Sequence, residues 1–481
     1  MRFRLYTIII IFFFGNTAQA QKKWSLLQCI EYAMANNITV KQTDLQSKIA
    51  ELQYKQSKMG RLPNLSFSTS PAFNNGRNQD PTTYTLITQS YLSAGMQLQT
   101  SAEIFNWFSK RNTIAANEWE VMAAKAGTDK LKNDIALTVA NAYLQVLLAR
   151  EQEKIAGVQL EQSKAQLLNT RKLVDAGALP ELNAAELEAQ VARDNASYIS
   201  AAGAVEQSIL TLKSYMAIDA AAAFEIDTPP VEKIPVEKIA DLQPETVFAS
   251  AMANMPQQRY NDYKLKAAKK TAEAARGSMY PTISVFGSLS SSYIASRSAT
   301  YDKLFNTYVP TGFKTDVGGT LYDVYSPTYS QGAKNGYSRS DAFGSQLNQN
   351  FRQSVGLSIN VPIFNGYSLR TAYQRSKITI RNEELQKELD DQKLKQDIYQ
   401  AYNASTVALE KFNASKKTVA AAERTYTFAK KRYDVGMLST FELITNQNNL
   451  FRAKLEYTFN QFDYVFKMKV LEFYKGKGLK L

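Results

Sequence analysis

Ile104-Phe105-Asn106 and Ile363-Phe364-Asn365 stand 259 residues apart, and each closes an alternating apolar and polar stretch and precedes a long stretch without proline. The same offset pairs Ala142-Tyr143 with Ala401-Tyr402, Asp175-Ala176-Gly177 with Asp434-Val435-Gly436, Arg193 with Arg452 and Tyr198 with Tyr457. A register kept without a gap from residue 104 to residue 198 marks an internal duplication. Toward the N-terminus the offset is 218: Ala33-Met34-Ala35-Asn36 returns as Ala251-Met252-Ala253-Asn254, and Pro63 as Pro281. The second copy therefore carries 41 extra residues, within a Tyr-, Ser- and Gly-rich segment near 290–350 whose composition predicts an exposed loop.

Around that segment the pattern has period two, as a sheet with one apolar face requires. Phe351, Val355, Leu357, Ile359 and Val361 alternate with Arg352, Ser354, Gly356, Ser358 and Asn360. Met96, Leu98, Thr100, Ala102 and Ile104 alternate with Gln97, Gln99, Ser101 and Glu103. Leu65, Phe67 and Thr69, and Ile283, Val285 and Leu289, complete four strands, two per copy. Alternation alone also suits a soluble sheet with one wet face. Lengths near ~10 residues suit a tilted transmembrane barrel, but about eight strands is the small end for closure, so four require oligomerisation.

Residues 107–176 and 366–435 contain no proline, and each stretch of 70 residues predicts one helix about 105 Å long. Ile135, Val139, Tyr143, Val146 and Leu147, with Ile398, Tyr402 and Leu409, have the spacing of a coiled-coil seam. Gly177 and Gly436 stand where a terminating glycine belongs. Ser439-Thr440-Phe441-Glu442 reads as a capping box and Pro180 fits the first turn of the equivalent helix, so each copy holds a helical hairpin.

Arg2 and Arg4, the apolar run Leu5 to Phe14 and Ala18-Gln19-Ala20 read as a secretory signal over residues 1–20. Removing it lowers the formal charge from +13 to about +11, dispersed enough that no nucleic-acid partner is implied. The chain has no histidine and one cysteine, which excludes a Ser-His-Asp triad, a Cys-His pair and most metal-ligand sets. Cys29 lies on an apolar helical face and reads as buried filler. There is no phosphate-binding glycine loop and no carboxylate pair that stands out, so neither an enzyme nor a cofactor is indicated.

Two strands and a very long helical hairpin, twice over, behind a signal segment, resemble the TolC-type outer-membrane efflux family. Val361-Pro362-Ile363-Phe364-Asn365-Gly366 is similar to that family's strand-to-helix passage, and Arg432-Tyr433-Asp434-Val435-Gly436 with Glu442-Leu443-Ile444-Thr445-Asn446-Gln447 to its second hairpin tip. The first copy lacks the Pro and Gly of the passage, having Glu103-Ile104-Phe105-Asn106-Trp107. The resemblance implies an α+β membrane protein. Three protomers of four strands each would form a twelve-stranded barrel in outer-membrane lipid, continued by an α-helical coiled-coil barrel across the periplasm.

It also implies a passive exit duct of a tripartite efflux or type I secretion system. The tips, Gly177, Ala178 and Leu179 with Gly436, Met437 and Leu438, would meet a periplasmic adaptor linked to an inner-membrane pump. In such channels acidic residues narrow the periplasmic mouth and select cations. The family's usual acid falls at Thr445, which leaves Asp175, Glu186, Glu188, Asp434 and Glu442 as gate candidates. The alternative is a periplasmic coiled-coil scaffold or adaptor without a pore, which has no use for greasy strands. The expected division is a signal at 1–20, a first repeat at 21–215, a linker or equatorial segment at 216–243, a second repeat at 244–475 and a tail at 476–481.

Overall fold

Ser25 starts the first ordered helix with a capping box: its Oγ accepts from Gln28 N at 3.4 Å and its own N–H donates to Gln28 Oε1 at 3.2 Å. The computed structural model describes residues 23–79, 86–228 and 234–476, so the expected signal, Pro229 and Pro230 of the linker, and residues 477–481 of the tail lie outside the described residues. In chain order the elements are α1 (Leu26–Asn36), α2 (Ile38–Met59), β1 (Asn64–Gln79), β2 (Leu86–Phe105), α3 (Ser109–Asp175) and α4 (Glu181–Met216). The order then recurs with additions: α5 (Pro244–Asn254), α6 (Pro256–Gly277), β3 (Thr282–Val317), β4 (Thr320–Arg339), α7 (Phe343–Gln349), β5 (Arg352–Asn360), α8 (Ser368–Asp434) and α9 (Thr440–Tyr474). Two compact units result, one from the chain up to Tyr54, Ala115–Thr271 and Arg375 onward, the other from Lys55–Ile114 and Ala272–Gln374.

The first unit is helical. α1 buries Leu26, Cys29, Ile30 and Ala33, one face of a 3.6-residue period, against Val139, Tyr143, Val146 and Leu147 of α3 and Ile209, Leu212 and Met216 of α4. Each Leu, Ile, Val or Met among them contributes about 1.5–3 kcal/mol on leaving water. The second copy repeats the arrangement: Val247 and Ala251 of α5 pack with Leu242, Ile398 of α8 and Met468 and Leu471 of α9. The predicted seam is thus in place, with Tyr143 fully buried and its hydroxyl donating to Asp227 O at 2.5 Å.

Three sequence expectations change here. The long helices are 67 residues each, starting at Ser109 and Ser368, because the two residues before each start are left-handed. The segment 216–243, expected as a linker or equatorial segment, is no loose tether: Ile226, Ile234 and Leu242 are buried, and Trp24 forms a parallel bridge with Ile226. Glu472, in a buried ion pair with Lys469 at 2.8 Å, also accepts from Glu237 N at 2.7 Å, which ties the segment to α9. Pro180 caps α4 from just outside instead of opening its first turn.

The second unit is the sheet, with β1, β2 and β3 antiparallel in that order and β5 on the far edge of β3. Phe67, Leu98 and Leu289 share a row that ends on Gln353 of β5, and Ala102, Val285 and Leu357 share another. The next rows are Ser66-Gln99-Ser288-Ser354 and Ser68-Gln97-Ser290-Arg352, so the strip has one apolar and one polar face. The 290–350 segment is not an irregular loop. β3 continues to Val317 and returns as β4 through Gly318-Gly319, whose φ values of 62° and 89° only glycine adopts freely. Between β4 and β5, α7 interrupts the edge, and Gln346 replaces a strand there by accepting from Ile294 N and donating to Ile294 O, both at 2.9 Å.

Burial pushes the Cys29 thiol up to about 12. Native protein at mild alkaline pH is therefore expected to resist iodoacetamide and to take one label after denaturation; labelling of the folded protein, read by intact mass, would contradict the buried position.

Candidate gate at the hairpin tips

Both long helices end in the same glycine motif. Gly177 N donates to Val174 O and Ala178 N to Leu173 O, each at 2.8 Å; Gly436 N donates to Tyr433 O at 2.9 Å and Met437 N to Arg432 O at 2.8 Å. Gly177 and Gly436 both have φ 74°, which closes a Schellman cap and stops the helix as their positions predict. Gly177, Ala178, Gly436 and Met437 are exposed, while Leu179 and Leu438 are half-buried beneath them.

Asp175 and Asp434 are the last residues of α3 and α8, and both are exposed. A carboxylate there meets the negative end of the helix dipole, so helix stability does not explain either. The two helix ends are neighbours, joined by Thr170 Oγ1 and Tyr433 Oη at 2.9 Å and by Gln166 Nε2 donating to Tyr426 Oη at 3.0 Å. The remaining candidates separate. Glu188 is paired with Arg171, which also approaches Glu181 at 3.7 Å. Glu442 takes Ser439 N at 3.2 Å and Ser439 Oγ at 3.0 Å, and these hydrogen bonds hold its carboxyl below the usual range. Glu186 is half-buried and joins none of these contacts.

A buried polar layer, which no motif announces, lies near the tips. Asp194 of α4 is buried without a cation, its carboxylate accepting from Ser163, from Gln190 Nε2 at 2.9 Å and from Gln159 Nε2 at 3.5 Å. Gln447 of α9 donates to Ser163 Oγ at 3.1 Å, and Gln190 reaches Asn448 Oδ1 at 3.0 Å. The sequence signal was present: Gln159, Ser163, Gln166 and Thr170 continue the seam spacing of α3 with polar residues. Three helices are joined there by hydrogen bonds, which break and re-form in discrete steps, where farther along they are joined by apolar packing. Ser163→Ala removes a donor from the buried carboxylate and is expected to destabilise the helical unit by about 1–3 kcal/mol. Thermal unfolding followed by circular dichroism checks this, and an unchanged midpoint would show that the layer carries no strain when cut.

The Outer membrane efflux protein family profile matches residues 29–217 and 248–461. The outer membrane efflux protein BepC of Brucella suis biovar 1 is 21% identical over 446 residues, covering 91% of this chain and 82% of BepC. The Campylobacter jejuni CmeC outer membrane channel superposes with a TM-score of 0.71 at 16% identity, over 95% of this chain and 86% of CmeC. The open-state Neisseria gonorrhoeae MtrE outer membrane channel gives 0.69 at 19% identity, over 95% of this chain and 89% of MtrE. On this fold and this profile match the chain belongs to the outer membrane efflux protein family, a family of channels, and is an outer-membrane efflux channel.

Proposed function

We propose that three copies of this chain form the passive exit duct of an efflux system, each giving four strands to a twelve-stranded barrel in the outer membrane and its helices to a periplasmic conduit. One observation carries the reading. The four-stranded strip exposes large apolar side chains along one face, most on its bounding strands, Val355 at 83%, Leu65 at 71% and Leu357 at 68%, more than a water-facing sheet tolerates. In hydrocarbon that face is stable, and the polar face of serines and glutamines lines a wet lumen. β1 and β5 bound the strip, and their outer edges need partners wherever water is absent. A neighbouring copy supplies them, β5 against β1, around a closed ring.

Nothing in the sequence binds a nucleotide, so the energy comes from a partner pump in the inner membrane, reached through a periplasmic adaptor. The tips Gly177-Ala178-Leu179 and Gly436-Met437-Leu438 are the adaptor contacts in this reading. Asp175 and Asp434 are the acids of the mouth, being exposed, unpaired among the described residues and placed against their own helix dipoles. Glu188 and Glu442 serve structure instead, one in an ion pair and one in a cap.

Two experiments test this. Val355→Arg, on the lipid face, is expected to lower the yield of membrane-inserted trimer, at a cost of about 2–4 kcal/mol at mid-bilayer, while Ser354→Arg on the lumen face inserts normally; equal behaviour of the two would remove the barrel. Asp175→Asn with Asp434→Asn is expected to reduce cation preference in single-channel recordings across an ion gradient, and an unchanged reversal potential would clear both residues of the gate.

A further inference from the structure

The strand-to-helix passage is duplicated residue by residue. Ile104-Phe105-Asn106-Trp107-Phe108-Ser109-Lys110-Arg111 returns as Ile363-Phe364-Asn365-Gly366-Tyr367-Ser368-Leu369-Arg370. The backbone is duplicated as well: Trp107 and Phe108 have φ 50° and 63°, and Gly366 and Tyr367 have 61° and 66°. Three of these four are bulky residues in the left-handed region, which side chains with a Cβ enter only when the surroundings hold them there.

What this backbone displays is an aromatic band. Phe105 shares a row with Ile283 and, through it, with Ile359 of the apolar face. Its ring lies 5.4 Å from Trp107 and 6.0 Å from Phe108, and Trp107 packs on Tyr280 at 4.9 Å. In the second copy Ile363 is 93% exposed and Phe364 83%, and Tyr367 is exposed beside them. Trp and Tyr at the end of a greasy sheet face are the composition of a membrane-water boundary.

Arg111 and Arg370 follow immediately, each the third residue of its helix and each exposed. The dipole disfavours a cation in that turn. Neither helix has an acid in its first turn, and no Asp or Glu occurs in residues 104–117 or 363–382. Arg370 lies over the Tyr367 ring at 5.4 Å and donates to its hydroxyl at 3.2 Å, and neither arginine has a carboxylate partner among the described residues. Lys110 differs, being paired with Glu103 at 2.9 Å. Two equivalent cations thus stand at a lipid boundary, against their helix dipoles, with no anion of the protein near them in sequence.

We propose that the duplicated junction is an interfacial band for anionic glycerophospholipid of the periplasmic-facing leaflet, its phosphates held by Arg111 and Arg370 and its acyl chains lying on Ile104, Phe105, Ile363 and Phe364. The inference rests on the membrane-spanning reading of the sheet. Charge complementarity favours an anionic headgroup over a zwitterionic one, and the aromatic rings set the depth at which it is met.

The test uses full-length protein in vesicles of phosphatidylethanolamine with a minority of phosphatidylglycerol. Spin-labelled versions of each lipid report how much is motionally restricted at the protein. The wild type is expected to hold phosphatidylglycerol in preference, by about five-fold per arginine, and R111Q with R370Q to hold the two lipids equally. Absence of a preference in the wild type, or its persistence in the double variant, overturns the proposal. Should the variant insert poorly, the wild type at high salt decides: the preference must collapse by screening, and its survival is equally fatal. Loss of conductance or of trimers in the wild type would instead refute the duct, so the two failures are distinguishable.

Discussion

The structure depends on one constraint: a backbone N–H or C=O in hydrocarbon has no water to bond, so a sheet there must close on itself. The strip formed by the two repeats holds only four strands, β1, β2, β3 and β5. In the proposed duct, closure would therefore belong to an assembly of copies, and the exposed Leu65, Val355 and Leu357 would belong to lipid. The same accounting explains Gln346. Where α7 displaces a strand from the edge of β3, its carboxamide takes both backbone groups of Ile294, so the interruption leaves neither orphaned.

Helices of 67 residues raise a different difficulty, because propensity alone does not hold two of them in register. Here the short helices α1 and α5 each dock on one hairpin and create an apolar core with Tyr143 or Ile398 at its centre. Toward the tips the seam turns polar at Gln159, Ser163 and Thr170, and hydrogen bonds among Asp194, Gln190 and Gln447 take over. Apolar packing fixes the helices where the short helices dock, and directional bonds hold them near the glycine caps. A mouth that opens and closes is better built from the second kind, since hydrogen bonds can be exchanged between two arrangements without exposing much apolar surface.

Much of this was legible from spacing. The 259-residue register located both hairpins, Gly177 and Gly436 located their ends, and the alternation around Phe351–Val361 located the strands of the strip. Less legible was the 290–350 segment, whose many Ser and Gly suggest a loop although Gly318-Gly319 between Thr- and Tyr-rich runs is a hairpin turn. Among the acids, sequence alone offered five equivalent gate candidates. Only the fold showed Glu188 on Arg171 and Glu442 on Ser439, contacts that leave Asp175 and Asp434 as the exposed acids without a structural duty beside a half-buried Glu186.

The sequence by itself determined the duplicated plan, the period of each element and the places where helices stop, because these follow from local stereochemistry and from which face of an element must avoid water. The tertiary structure decided which polar residues are buried together, which acids are neutralised, and how Trp107, Phe108 and Tyr367 are held in a left-handed backbone. Those outcomes depend on contacts between residues far apart in the chain, such as Ser163 with Gln447 or Phe105 with Ile283, and no local pattern encodes such a distance.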